Sequence, residues 1–257
     1  MINLKEYDVE KIFLTDFIGG HGGDFFITLF AGCNTDFIGH FDYDRLVKRL
    51  TEHPSTFPGN NFGKKMINTT VDEFENECSI DLEKFGKKTN KCVNVCTHPL
   101  TGPSDNIKFL KSVFGNMHIQ RIRLVPFTFQ SALWYVWFFE NKKTNLSKEI
   151  MENRIDNILV EVSHHMQTSE NDIVLDHIDI TLNNPEALYD LCKNISSDNI
   201  DKNMFDYSLN TYLQGKVTEF KAWYETIQQQ DYFEELKDTY QSKVSDNKKF
   251  RVTHGNR

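Results

Sequence analysis

Apolar runs that alternate with helix-spaced segments constrain this chain more than any other feature. Four runs have strand character: Lys11–Phe17, CVNVCTH at 92–98, IQRIRLVP at 119–126 and DIVLDHIDITL at 172–182. They are short, rich in β-branched residues and bounded by turn formers, as buried strands are. The stretches between them repeat at helical spacing. DFFITLFAGC (24–33) reads as a short helix packed on both sides. DYDRLVKRLTEH (42–53) puts Tyr43, Leu46, Val47 and Leu50 on one face. Residues 72–91 read as a helix and a surface turn. NIKFLKSVFG (106–115) is a helix capped by Ser104 or Asp105 and ended by Gly115. FTFQSALWYVWFFENK (127–142) and 146–166 are longer helices, and the chain is helical from 184 onward. Strands alternating with helices predict an α/β fold, a parallel β-sheet with helices on both faces. One domain over 1–257 is expected, with a helical C-terminal region from about residue 185 and a frayed tail after about residue 245.

The charge balance narrows the function. With 29 basic residues against 37 acidic ones the net charge is −8. A nonspecific nucleic-acid binder needs a basic surface, so no nucleic-acid partner is expected. The 21 phenylalanines imply a core or groove rich in flat rings. Cys33, Cys78, Cys92, Cys96 and Cys192 contain no CxxC pair and read as reduced, buried thiols of a cytoplasmic protein. MINLKEYDVEK at the start lacks signal-peptide character. No window approaches the ~20 uninterrupted apolar residues of a membrane span.

Four of the 13 glycines fall together at Gly19, Gly20, Gly22 and Gly23, inside IFLTDFIGGHGGDFFITLF. Such a cluster marks a backbone shape that a side chain would block. A hairpin turn fits. So does a loop whose amides, from Gly20 to Asp24, meet a phosphate at a helix start. The loop lacks the lysine and hydroxyl of GxxxxGK[ST], which disfavours magnesium-dependent ATP chemistry. Ligands of parallel sheets sit outside the carboxyl ends of the strands, and two further groups belong to that edge. His98 ends a strand, where a neutral imidazole can take a proton from a hydroxyl. Arg123 lies near a strand end and Ser131 in the first turns of the next helix. Together they offer a forked cation and a directional donor to one phosphate. Plainer roles also fit: His98 capping local backbone, Arg123 on a surface edge, Ser131 filling a gap.

The order of these parts resembles that of the sulfotransferases that use 3′-phosphoadenylyl sulfate (PAPS). Their first strand enters a phosphosulfate loop of the type TYPKSGTTW, and TDFIGGHGGDFF (15–26) is similar in position and rhythm. Their KTHLP turn carries the base, and VCTHPL (95–100) looks like it, with His98 in that slot. Their 3′-phosphate strand, of the type VARNPKDVAVSYY, keeps arginine and serine eight apart, as IRLVPFTFQSALWY (122–135) does at Arg123 and Ser131. This likeness spans residues 11–140. GKVTEFKAWYE (215–225) is similar to the family's late basic phosphate segment through Gly215 and Lys216. The resemblance implies a P-loop sulfotransferase-like fold with PAPS as co-substrate and no metal. It implies Gly20, His21, Gly22 and Gly23 around the 5′-phosphosulfate, and Arg123 and Ser131 on the 3′-phosphate. His98 would be the base for a hydroxyl of a small-molecule or glycan acceptor. The family's loop lysine is absent. Gly20 or His21 stands in its place, and a protonated His21 would supply similar charge. Gly23 and Asp24 replace the loop's threonines, and Asp24 is expected to cap the helix and point away. These departures support a second expectation, a non-catalytic nucleotide- or partner-binding protein on the same fold. A phosphotransferase with an unusual P-loop ranks below both.

The remaining polar clusters read as structural. His40, Asp42 and Asp44 suit a solvated turn before a helix. His164 and His165 point apart on a helix. His177 and Asp179 are expected to share a strand face. Cys92 and Cys96 lie about 13 Å apart along a strand, too far to form one ligand pair. The aromatic run at 127–139 reads as a core helix that can also stack an adenine. Loops at 53–65 and 101–106 are the expected walls of an acceptor pocket.

Overall fold

The computed structural model describes residues 2–20, 22–62, 64–66, 69–86, 89–98, 105–165 and 171–246. A 3₁₀ turn at Leu4–Tyr7 leads into β1 (Lys11–Phe17), the glycine loop and α1 (Gly23–Ile27), which runs on as a π turn over Thr28–Gly32. There follow α2 (Tyr43–Glu52), β2 (Lys64–Lys65), α3 (Val71–Phe85), β3 (Cys92–Thr97), α4 (Asn106–Phe114) and β4 (His118–Leu124). Next are α5 (Phe129–Phe139), α6 (Lys148–His165) and β5 (Ile173–Leu175). The rest is helical: α7 (His177–Asn183), α8 (Ala187–Ile195), α9 (Lys202–Tyr212), a π turn at Leu213–Val217, α10 (Thr218–Ile227) and α11 (Phe233–Asp246).

The strands form one sheet in the order β2-β3-β1-β4-β5, parallel at every pairing. The α/β expectation therefore holds, and the glycine loop is no hairpin, because β1 pairs only with parallel neighbours and leads into a helix. Alternation along the strands splits the core in two. Ile12, Leu14, Val93 and Val95 pack with Phe74, Cys78 and Leu82 of α3 and Leu110 and Val113 of α4. Phe13, Phe17, Ile122 and Leu124 face the other way, into a core built from α1, α5, α6 and the C-terminal helices. Those helices fold back onto the sheet. Tyr240 Oη donates to Pro126 O and Trp223 Nε1 to Lys143 O, both at 2.6 Å.

Local signals set the helix ends. Asp42 caps α2 by accepting from Arg45 N, and Asp105 caps α4 by accepting from Lys108 N, with Gly115 ending that helix. One strand expectation fails. The run at 172–182 is a strand only over Ile173–Leu175, and His177 and Asp179 stand on α7. The cause is Asp176, whose carboxylate accepts from Asp179 N and turns the chain into a helix. The five cysteines are buried and none is in a disulfide, and burial pushes the Cys33 and Cys92 thiols up to about 12. Among the described residues no helix is long and apolar enough to cross a membrane, and no group of three His, Cys, Asp or Glu side chains could hold a metal ion.

Candidate functional site

β1 lies between β3 and β4, so the glycine loop, His98 and Arg123 all come to the carboxyl edge of three adjacent strands. Asp16 is level with Thr97 on one side and Arg123 on the other. Just past that row the Gly19 N–H donates to His98 Nε2 at 2.8 Å. An acceptor at Nε2 means the imidazole is neutral, with its proton on Nδ1. His98 and the loop thus meet as expected.

The loop is shaped by aromatic neighbours. Gly20 has φ +80°, and a Cβ there would stand 2.6 Å from the rings of Phe138 and Phe139. A Cβ on Gly23 would fall 2.3 Å from the Phe17 ring, so only glycine lets α1 start this close to the end of β1. Gly22 is the N-cap of α1 in the left-handed conformation. Asp24 is not the cap residue, because Gly22 holds that position. It stands in the first turn and lines the cavity above the loop. His21 lies outside the described residues.

That cavity has a volume of about 350 Å³, at the small end of the range for small-molecule sites. The loop (Gly20, Gly22, Gly23) forms one wall, and Phe57, Trp134, Trp137, Phe138 and Tyr212 supply flat rings. Ser55 and Thr56, from the expected acceptor loop at 53–65, are part of its rim. The other expected acceptor loop, at 101–106, is described only at Asp105 and Asn106. Among the described residues, Lys216 is the cation of the lining. Its Nζ lies 5.7 Å from the Trp137 ring centre and 5.9 Å from that of Phe138. Burial lowers its pKa, Lys142 lowers it further, and Glu219 opposes both. The late basic segment singled out in the sequence therefore does come to the glycine loop.

Arg123 and Ser131 are elsewhere. Arg123 leaves β4 on the face of Asp16, opposite to Phe17 and Leu124. It is buried, and its Nε donates to Asp172 Oδ2 at 2.8 Å. Arg121 Nε lies 3.3 Å from Asp16 Oδ2, so two arginines and two aspartates form one buried cluster. Ser131 is fully buried in α5. Its Oγ shares a 2.9 Å hydrogen bond with Thr128 Oγ1 and serves the Asp176 carboxylate. Phe127 N and Thr128 N also donate to that carboxylate, at 2.7 and 3.1 Å. Neither Arg123 nor Ser131 lines the cavity.

Sequence reasoning missed Glu161. It lies on α6, is 9% exposed, and puts Oε2 at 3.7 Å from His98 Nε2. Burial pushes its carboxyl up to about 7. A glutamate among the polar positions of a helix gives no signal in sequence that it faces inward. Beside these geometries, searches of protein-family models, curated proteins and solved structures find no match to this chain.

Proposed function

We propose that this chain binds a nucleotide of the adenosine 3′,5′-bisphosphate type in the cavity above the glycine loop. We further propose that it acts as a sulfotransferase-like enzyme, moving a sulfuryl group from PAPS to a hydroxyl of a small-molecule or glycan acceptor. The observation that carries this reading is the 2.8 Å contact between His98 Nε2 and Gly19 N. It brings a neutral imidazole against the same loop that lines an aromatic cavity with a lysine. A general base must reach both the acceptor proton and the site of bond exchange. Flat rings suit a nucleobase, and loop amides suit a phosphate. In the transfer, the acceptor oxygen bonds to sulfur as the bond from sulfur to the 5′-phosphate oxygen breaks. The electron pair leaves on that phosphate, and the acceptor proton passes to His98 Nε2, which releases Gly19 N–H to take it. Isothermal titration with 3′,5′-adenosine bisphosphate tests the binding step, and no heat at roughly millimolar ligand would defeat it.

A second reading is a non-catalytic nucleotide- or partner-binding protein. The same hydrogen bond favours it, because the lone pair a base needs is already engaged by Gly19. Nucleotide binding without sulfuryl transfer, and with native function intact in His98→Ala, would select this reading.

A further inference from the structure

We infer that Glu161 is the positioning residue of His98: when Nε2 gains a proton, the imidazole gives up the Gly19 amide and its new N–H donates to the Glu161 carboxylate. This role rests on the base function proposed for His98, and it supplies the group that holds the charge such a base acquires.

Three groups meet at one nitrogen. His98 Nε2 accepts from Gly19 N at 2.8 Å, and Glu161 Oε2 stands 3.7 Å from the same atom. That second distance is too long for a hydrogen bond, and Oε2 is buried with no hydrogen-bond partner. A buried carboxylate oxygen without a donor is costly. A proton on Nε2 supplies the donor, because a protonated ring nitrogen gives a hydrogen bond where a bare one accepts it. A movement of about 1 Å then closes the gap to hydrogen-bond distance. Uptake of one proton thus exchanges the Gly19 amide for the Glu161 carboxylate as the partner of Nε2.

Helix phase presents the carboxylate. Ile155, Ile158 and Val162 of α6 are buried in the core shared with α5. Glu161 follows Ile158 by three positions, so its stem lies on their face. The basic groups of the neighbouring elements are held elsewhere. Arg154, two turns earlier on α6, bonds Glu140 at the end of α5 at 2.7 Å. Lys243 of α11 bonds Asp156 at 2.7 Å. Arg121 and Arg123 lie with Asp16 and Asp172 on the other face of the sheet. Tyr135 of α5 senses the charge of Glu161, and burial holds its phenol protonated. Among the described residues, His98 is therefore the basic group within ion-pair distance of Glu161. Burial pushes the carboxyl up to about 7, into the range where an imidazole titrates, so the two groups share one proton near neutral pH. With that proton on Nε2, opposite charges face each other away from water, where their attraction is strongest.

Nitrogen-15 NMR of the imidazole in the ligand-free full chain reads this directly. His98 is one of nine histidines, and its signals are assigned by their loss in His98→Ala. In wild type the Gly19 amide proton should move upfield with the same midpoint as Nε2 protonation. The carboxyl carbon of Glu161 should keep its ionised position through that step. Glu161→Gln should lower the His98 midpoint by about one pH unit or more, a tenfold loss of proton affinity. Glu161→Asp, which keeps the charge on a shorter stem, should lie between the two. A glutamate that serves only the fold would leave the midpoint where it is. Equal midpoints in wild type and both variants therefore overturn the inference, as does a wild-type carboxyl that takes the proton while Nε2 stays bare. No nucleotide is present, so the titration is independent of the bisphosphate binding test. Bisphosphate binding with an unmoved midpoint sinks the Glu161 role alone, and a moved midpoint without bisphosphate binding sinks the nucleotide reading alone.

Discussion

The backbone N–H of Gly19 donates to His98 Nε2 at 2.8 Å, joining the ends of β1 and β3 across 79 residues of sequence. One bond thus sets both the entry to the glycine loop and the tautomer of the imidazole. A proton arriving at Nε2 must break it, because a protonated nitrogen cannot accept. Proton uptake by His98 and release of the Gly19 amide are a single event.

His98→Ala should therefore do two things. On the proposed sulfotransferase reading, it should abolish sulfuryl transfer while leaving nucleotide affinity within a few-fold of wild type. It should also cost about 1 kcal/mol of stability for the lost loop hydrogen bond. Transfer assays with labelled donor and urea denaturation measure the two effects. Transfer that persists in the variant removes His98 from the chemistry.

Glu161 predicts a dependence on pH. Burial pushes its carboxyl from 4.5 up to about 7. His98 faces it at 3.7 Å, and Tyr135 also senses its charge. Between these two values the folded chain holds a proton that the unfolded chain has lost, so stability falls as pH rises through about 4.5 to 7. Asp16 and Asp176, both pushed up to about 6 by burial, act in the same direction. Glu161→Gln removes one of the three contributions. Its unfolding free energy should match wild type near pH 5 and exceed it by roughly 1 kcal/mol at pH 8. A variant no more stable than wild type at pH 8 would show that the ionised carboxylate is well accommodated.

Much of the fold was legible because local patterns agreed with the global result. The bounds of β1 follow from one apolar run, and Asp105 and Gly115 mark both ends of α4. What was not legible depends on tertiary partners. β2 is two lysines with no apolar pattern, and only its pairing with Val95 and Cys96 makes it a strand. The run at 172–182 is apolar enough for either element, and Asp176 decides between them by collecting backbone donors from α7 and from the start of α5. At the site, the meeting of His98 with the glycine loop followed from strand order. The partners of Arg123 and Ser131 did not, because Asp172 and Asp176 are remote in sequence. Glu161 was hidden for the same reason.

Gly20 and Gly215 should respond oppositely to alanine. Gly20 has φ +80° and ring atoms at 2.6 Å from a would-be Cβ, whereas a Cβ on Gly215 meets nothing within 4 Å. Gly20→Ala should lose about 2 kcal/mol or more, from strain and from displacement of Phe138 and Phe139. Gly215→Ala, within a helical run, should be neutral or gain up to about 1 kcal/mol. Guanidinium denaturation of both variants provides the comparison. Equal effects would mean that the loop is not held against the α5 rings.

Arg123 separates a structural cation from a ligand-binding one. Its guanidinium neutralises Asp172 in a cluster that also contains Asp16 and Arg121. Arg123→Met removes the 2.8 Å partner of Asp172 and leaves Arg121 Nη1 at 4.0 Å. Breaking a buried ion pair from one side costs about 3–5 kcal/mol. Removing a nearby positive charge also pushes Asp16 further above its ordinary value, which steepens the loss of stability towards neutral pH. The ligand-free variant should therefore unfold at markedly lower urea. The double change Arg123→Met with Asp172→Leu should recover most of the loss, because exchanging a whole buried pair for apolar groups costs far less than breaking it. Unchanged stability of Arg123→Met combined with a collapse of 3′,5′-adenosine bisphosphate affinity is the opposite result. It would return Arg123 to the phosphate role that its spacing from Ser131 suggests.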